Sequence, residues 1–310
     1  MKIKFLPLLL ILCLLLSACG GGQEMSHSDN AVTFTDDLSR VVTVDSPQRT
    51  AALLGSFAQV WMLSGGEVCA TADDAWDDLG LDLPEDTVNL GNTKSLSLEL
   101  LLAAQPDFIL ASTNTRQNVA WRDTLEATGI PVAYFDIDDF DDYLRLLSIC
   151  TDITGRKDLY ETYGTQVQAQ IDTVVEQSQS RGTHPTVLCM VASASAVYAK
   201  NSQGNVLGAM LKSLGCENIA DSDAMLLENV SMEHILRSDP EYIFFVQRGD
   251  DTEGMQSYVQ RFLMDDPAWA SLTAVREGRV YFMEKALYNL KPNERWGEAY
   301  EKLEEILENG

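Results

Sequence analysis

Two glutamates, Glu99 and Glu233, occupy equivalent positions in two copies of one sequence pattern. Segments 97–110 and 231–244 align without a gap, and 5 of the 14 aligned positions are identical. Each copy has the pattern of a serine N-cap, a short helix, a proline stop and a buried strand. We therefore expect each glutamate in a first helical turn, with its side chain facing outward. There it can pair with arginines of a partner, or it can simply balance the helix dipole.

Aromatic and arginine side chains form a second set of candidates, in loops that follow predicted strands. Ligands of open α/β folds bind beyond the carboxyl ends of the parallel strands. Aromatic rings offer flat contact area, and a guanidinium group grips anionic oxygens. Each residue can instead cap the core. The candidate ligand-binding residues are Phe57, Trp76, Arg116, Tyr198, Arg248 and Tyr288. Because Arg116 and Arg248 follow corresponding strands, we expect them to converge on an anionic ligand.

The N-terminus carries the pattern of an export signal that ends at a modified cysteine. Lys2 and Lys4 precede an apolar run that is too short to span a membrane. The sequence Leu16-Ser17-Ala18-Cys19 then resembles the lipobox of bacterial lipoproteins, in which the cysteine is diacylated and becomes the first residue. We predict a signal peptide at residues 1–18, then lipidated Cys19 and a flexible tether at residues 19–31. The alternative is an ordinary signal peptide that happens to contain a cysteine.

Composition and missing motifs argue against several kinds of function. The chain has 47 acidic and 22 basic residues, whereas nucleic-acid binding needs clustered lysine and arginine. Its histidines and cysteines show no metal-ligand spacing, so we expect neither a coordinated metal nor a resident cofactor. The sequence has no Gly-x-Ser-x-Gly elbow and no phosphate-binding glycine loop, so we expect no enzyme. The cysteines beyond the N-terminus are expected as buried free thiols, namely Cys69, Cys150, Cys189 and Cys216.

Short apolar strands alternate with amphipathic helices over residues 32–155 and again over residues 182–310. Such alternation predicts parallel sheets covered by helices. Between the two sets, residues 156–181 contain no proline and carry one apolar stripe at helical spacing. This segment predicts a helix of roughly 39 Å, with a plain surface helix as the alternative to a connecting one. The predicted fold is therefore α/β, with two lobes built on central, mostly parallel sheets and joined by one long α-helix.

The ordered set of these features resembles a known family, the class III periplasmic binding proteins. They are the substrate-binding lipoproteins of ABC importers, in the branch that captures ferric siderophores, haem and cobalamin. The paired Ser-x-Glu helices, the lipobox and the connecting helix carry the resemblance. Residues 35–50 also resemble the entry pattern of that branch, although Ser39 stands where glycine is usual. By order of elements the resemblance covers residues 32–308.

The resemblance implies an extracytoplasmic receptor that is anchored to the cell membrane through Cys19 and carries out no catalysis. It would capture an iron chelate, with a ferric siderophore expected and haem or cobalamin as alternatives within the family. An exported α/β hydrolase is the alternative of another class, and a permease-independent adhesin or sensor is a third. The implied partners are the chelate and a permease dimer with its ATPase subunits, whose arginines would meet Glu99 and Glu233. The receptor would be a monomer that binds no nucleic acid.

Overall fold

The computed structural model of the protein describes residues 31–310, so the predicted signal peptide and Cys19 lie outside the described residues. The described part begins with a hairpin in which β1 (Ala31–Thr35) pairs antiparallel with β2 (Val41–Asp45). The buried carboxylate of Asp36 accepts the backbone N–H of Arg40 at 2.9 Å and so organises the turn. Ser39 in this turn has a φ of 59°, a conformation for which glycine is the usual residue. The turn therefore forms even though serine replaces the glycine of the resembled pattern.

The N-terminal lobe contains a sheet of five parallel strands. They are β3 (Thr50–Ala52), β4 (Val68–Thr71), β5 (Val88–Asn89), β6 (Phe108–Ser112) and β7 (Val132–Phe135). Their order in the sheet is β5-β4-β3-β6-β7. Every residue of β3, β6 and β7 is buried, as in a sheet covered on both faces. The helices of this lobe are α1 (Gly55–Leu63), α2 (Asp74–Asp77), α3 (Leu98–Ala103), α4 (Arg116–Ala120), α5 (Arg122–Glu126) and α6 (Phe140–Thr154).

A continuous helical segment connects the lobes. It consists of α7 (Lys157–Tyr160), a π-helical turn (Glu161–Thr165) and α8 (Gln166–Ser180). The apolar stripe predicted along this segment places Val167, Ile171 and Val174 in the core. The π-helical turn was not predicted from the sequence, because the apolar spacing is the same on either side of it.

The C-terminal lobe contains a mixed sheet. Its strands are β8 (Thr186–Ser193), β9 (Ala196–Lys200), β10 (Glu217–Asn218), β11 (Tyr242–Gln247) and β12 (Val280–Met283). The parallel order is β10-β8-β11-β12, and β9 pairs antiparallel with β8. The helices are α9 (Val206–Ser213), α10 (Ala224–Glu228), α11 (Met232–Ser238), α12 (Thr252–Val259), α13 (Thr273–Arg276), α14 (Lys285–Tyr288) and α15 (Trp296–Asn309). The predicted fold class is confirmed.

The strand β9 corrects one sequence-based prediction, because it contains Tyr198, which was expected in a loop. Val197 and Ala199 face the core, and Tyr198 between them is 50% exposed and pairs with Val191. Because β9 has only five residues, its alternation of buried and exposed side chains gives a weak periodic signal.

Packed side chains join the lobes in addition to the connecting helix. One hydrophobic cluster contains Phe57 and Trp61 of the N-terminal lobe together with Phe244 and Trp296 of the C-terminal part. The helix α15 lies along α8, and Arg181 at the end of the connecting segment pairs with the buried carboxylate of Glu304. The two lobes therefore share one apolar core behind the cleft described below.

Candidate functional site

A cleft between the lobes lies at the carboxyl ends of both sheets. It contains two adjoining cavities of about 250 and 370 Å³, which share Arg248, Asn289 and Lys291. Most lining residues follow strands of the two sheets, and the second cavity also includes Cys189, Met190 and Val191 of β8. The position agrees with the rule that open α/β folds bind ligands beyond the carboxyl ends of their strands.

The helix α2 gives the first cavity an acidic wall on the side of the N-terminal lobe. Asp73, Asp74, Asp77 and Asp78 all line this cavity. The Asp74 carboxylate accepts the backbone N–H of Gly55 at 2.9 Å. Burial, together with the neighbouring carboxylates of Asp78 and Asp73, raises the pKa of Asp74 to about 6.

A close backbone contact positions this acidic wall. A Cβ atom added to Gly55 would lie 2.6 Å from the backbone nitrogen of Ala75, so only glycine lets α1 begin directly against α2. The Gly55 N–H is then free to hold the Asp74 side chain.

Lys285 bridges the two lobes across the first cavity. Its ammonium group donates to both carboxylate oxygens of Asp78, at 2.7 and 2.9 Å, and to Asp250 at 2.7 Å. Asp78 belongs to the N-terminal lobe, whereas Lys285 and Asp250 belong to the C-terminal lobe. The charge of Lys285 is therefore fully paired.

The second cavity has a surplus of positive charge. Lys200, Arg248 and Lys291 line it together with one acidic residue, Asp138. Within residues 31–310 the side chains of Lys200 and Arg248 form no ion pair. The remaining lining is apolar floor and amide groups, including Asn114, Asn205 and Asn289. Unpaired cations in a chain of net charge −25 mark a place suited to an anionic ligand.

The structure brings two of the six predicted ligand-binding residues into these cavities. Arg248 lines both of them. Tyr288 lines the second cavity but is 3% exposed, and its hydroxyl donates to the Ala299 carbonyl at 3.0 Å. Its ring is therefore largely part of the core.

The other four predicted residues line neither cavity. Phe57 is buried in the shared core, and Trp76 is half-buried on α2. Arg116 is exposed at the start of α4, so the structure does not bring it together with Arg248. Tyr198 lies on the open face of β9.

Sequence reasoning missed the lysines and the amide side chains of the cleft. Lys285 and Lys291 follow β12, which is a place where the fold directs ligand contacts. Basic residues are scarce in this chain, so two lysines after one strand were a usable signal. The sequence-based prediction instead favoured arginine and aromatic residues as ligand contacts in such loops.

Glu99 and Glu233 lie in the first turns of α3 and α11, and both are exposed. The hydroxyl of Ser97 accepts the Leu100 N–H, and that of Ser231 accepts the His234 N–H. Both helices therefore begin at serine caps, as the repeated pattern predicts.

The surroundings of the two glutamates differ. The helix α3 also exposes Leu100 and Leu102, at 44% and 38%. On α11, His234 and Arg237 both contact the Asp223 carboxylate at 2.7 Å. The N-terminal surface is thus partly apolar, whereas the C-terminal surface is ionic.

Among residues 31–310, no helix is long and apolar enough to cross a membrane. That part of the chain also holds no group of three or more histidine, cysteine or carboxylate residues placed to bind a metal ion. A larger cavity of about 840 Å³ lies beneath the N-terminal hairpin, near the amino ends of β3 and β4 and away from the cleft. Among the described residues the cysteines are free thiols, namely Cys69, Cys150, Cys189 and Cys216.

Two relatives from Bacillus subtilis (strain 168) cover nearly the whole chain. The "Iron-uptake system-binding protein" is 22% identical over 312 aligned positions, which cover 97% of this chain and 95% of that protein. The "Fe(3+)-citrate-binding protein YfmC" is 24% identical over 293 positions, which cover 90% and 88% respectively.

A solved structure and a family profile agree with these relatives. The crystal structure of Staphylococcus aureus SirA complexed with staphyloferrin B shares the fold, with a TM-score of 0.70 at 16% identity, covering 89% of this chain and 98% of that chain. The profile described as "Periplasmic binding protein" matches residues 51–287, which is more than half of the chain. The chain therefore belongs to the periplasmic binding protein family.

Proposed function

We propose that this protein is the extracytoplasmic substrate-binding component of an ABC importer and that it captures a ferric chelate. The observation that carries the proposal is the cleft itself, where unpaired Lys200 and Arg248 line a cavity at the carboxyl ends of the strands. Relatives named for iron uptake and for Fe(3+)-citrate support the choice of an iron chelate.

The lining favours a small, anionic and oxygen-rich chelate, such as a ferric carboxylate siderophore or ferric citrate. Amide and charged side chains line both cavities, and these suit carboxylate oxygens. Small-molecule sites measure about 300–1,000 Å³. The first cavity, of about 250 Å³, lies below this range, and the second, of about 370 Å³, lies at its small end. Haem and cobalamin present large flat faces that call for aromatic contacts. Such contacts are scarce here because Phe57 and Tyr288 are buried.

Binding without catalysis is part of the proposal. The family match supports a transport role and gives no support to an exported α/β hydrolase. Ser56 follows a strand, as a hydrolase nucleophile would. However, Ser56 is buried, and its backbone carbonyl accepts a hydrogen bond from the Asn293 amide.

Delivery to a permease and attachment to the membrane complete the proposal. Exposed, serine-capped Glu99 and Glu233 support docking to arginines of a permease that works with ATPase subunits. Residues 16–19 support a lipid anchor at Cys19. Cys19→Ala should release the protein from the membrane fraction. If the variant stays in that fraction, the lipobox assignment is wrong.

Thermal unfolding with a panel of chelates tests the proposed ligand class. A ligand that binds only the native state at 100 times its Kd adds about 2.7 kcal/mol to the unfolding free energy and so raises Tm. We expect ferric citrate or a ferric carboxylate siderophore to raise Tm more than haem, cobalamin or a metal-free sugar. Stabilisation by a sugar or peptide alone, or by no iron chelate at all, would contradict the proposed function.

A further inference from the structure

Lys291 occupies the junction of the two cavities and reaches from one lobe to the other. It follows β12 in the C-terminal lobe, and its ammonium group donates to the Ile137 carbonyl of the N-terminal lobe. Its side chain is only 18% exposed. The group therefore lies where a ligand that fills either cavity would meet it.

The charge of Lys291 lacks a close counter-ion. The nearest carboxylate oxygen belongs to Asp138 and lies 3.9 Å away. Lys285, six residues earlier, has three carboxylate oxygens within 2.9 Å. A buried ammonium group with only a neutral carbonyl as hydrogen-bond partner is costly, because it has lost water without gaining a full ion pair.

The groups that face Lys291 agree with an incomplete ion pair. Burial lowers the pKa of Lys291, and the carboxylates of Asp138, Asp136 and Asp142 only partly oppose this effect. Asp136 is already engaged by the Asn114 amide, and Asp142 accepts the Asp138 backbone N–H at 3.0 Å. Two of the three carboxylates around Lys291 are thus held by other donors, and the third, Asp138, lies 3.9 Å away, which leaves the ammonium group with unused bonding capacity.

We propose that Lys291 selects the charge of the ligand, by binding an anionic oxygen of the chelate that completes its missing ion pair. The inference rests on the proposed function and narrows it to chelates with a carboxylate or equivalent anion at the junction of the cavities. Lys200 and Arg248 lie along the same cavity and can receive further anionic oxygens. Because Lys291 already touches the N-terminal lobe, a ligand held there contacts both lobes at once.

The test compares Lys291→Met with Lys157→Met, a control that removes an exposed lysine lying outside both cavities. The probes for calorimetric titration are ferric citrate, which is anionic, and ferrichrome, which is a neutral chelate. The two variants give four affinities, and the ratio of the affinities for the two probes is then compared between variants. Losing one partner of a desolvated charge pair should weaken ferric citrate binding to Lys291→Met by about 30-fold or more. Ferrichrome affinity, where it is measurable, should change by less than about threefold. Lys157→Met should leave the ratio between the two probes near that of the wild type, because its exposed charge lies outside both cavities.

Each outcome of these titrations supports or contradicts the proposed role of Lys291. If wild-type protein binds ferric citrate and Lys291→Met binds it equally well, the charge-selecting role is wrong while the proposed function stands. If Lys291→Met weakens both chelates by the same factor, its role is structural and the inference is again overturned. If wild-type protein binds no ferric chelate, the proposed function fails and the inference fails with it. Lys291→Arg keeps the charge and should retain the preference for ferric citrate, which guards against a folding defect in the methionine variant.

Discussion

At the scale of single residues, the acidic wall of the first cavity contains a carboxyl group whose pKa is raised to about 6. Asp74 is held by the Gly55 N–H and lies beside Asp73 and Asp78. Burial raises its pKa from 3.8 to about 6. Between these two values the folded state binds more protons than the unfolded state. The free energy of unfolding therefore falls as pH rises through this window and stays lower above it.

Asp74→Asn should remove this pH-dependent loss in the free energy of unfolding. Asparagine keeps an oxygen that can accept the Gly55 N–H but carries no charge to bury. Because each pKa unit is worth about 1.4 kcal/mol, the variant should be more stable than wild type by on the order of 2–3 kcal/mol at about pH 7.5. The gain should shrink toward about pH 4. Urea unfolding at several pH values measures it, and a gain that is equal at all pH values would exclude titration of Asp74 as the cause.

At the scale of elements, three helix starts determine the geometry of the cleft and of the proposed docking surface. The helix α1 begins against α2 with no room for a side chain at Gly55. The helices α3 and α11 begin at Ser97 and Ser231, and these caps place Glu99 and Glu233 in equivalent first turns. In each case a small or hydrogen-bonding residue at the first turn decides where a carboxylate lies.

Gly55→Ala should disturb the contact between α1 and α2. The added methyl group would meet the backbone of Ala75, which cannot rotate away as a side chain could. Overpacking of this kind typically costs about 1–3 kcal/mol. Chemical unfolding would measure the loss in the free energy of unfolding. Gly80→Ala is unsuitable as a control, because Gly80 has a positive φ. Ala127→Gly, at the end of α5, offers a comparison for a change at a helix terminus alone.

Replacing Glu99 and Glu233 together by alanine should impair uptake and leave ligand affinity close to unchanged. Exposed charges contribute roughly 0–1 kcal/mol to stability, so the fold should persist. Transport should fall sharply because each arginine cluster of the permease would lose its partner, and reversal to arginine should be worse because it adds repulsion. Uptake of the chelate by cells is compared with affinity in solution, and Glu305→Ala on α15 serves as the exposed control.

Two outcomes would argue against docking through these helices. Normal uptake by the double variant would leave the serine and glutamate pattern with the role of capping alone. A loss of ligand affinity that accounts for all of the lost uptake would instead assign the glutamates to ligand binding.

At the scale of the whole molecule, several connections hold the lobes in one arrangement. The helical segment 157–180 joins them, and one apolar cluster runs through both. Lys285 bridges to Asp78 across the cleft, and the Asn293 amide donates to the Ser56 carbonyl at 2.9 Å. Large hinge bending would have to break all of these contacts, so we expect small closure on ligand binding.

Small-angle scattering with and without a ferric chelate measures this closure. The radius of gyration should change little, and less than in receptors whose lobes are joined by extended strands. Lys285→Met removes one of the connections and should widen the distribution of lobe distances in the unbound protein. A large decrease in the radius of gyration of the wild type on binding would show that the connecting segment bends.

The sequence by itself determined the layout of elements and the equivalence of the two glutamate helices. Strands such as β6 and β11 were predictable from hydrophobic periodicity and from the serine caps and prolines that precede them. These signals are properties of neighbouring residues. The long helix between the lobes was predictable for the same reason. The domain boundaries derived from these patterns and the roles of Cys19, Glu99 and Glu233 stay predictions.

Only the tertiary structure decided which side chains share the cleft. Phe57 and Tyr288 follow strands, yet both turn into the core, whereas Lys291 crosses to the Ile137 carbonyl, which is 154 residues away in the chain. The direction of a side chain at the end of a strand depends on how the two lobes pack against each other. That packing depends on contacts between distant segments, and no pattern of neighbouring residues records it.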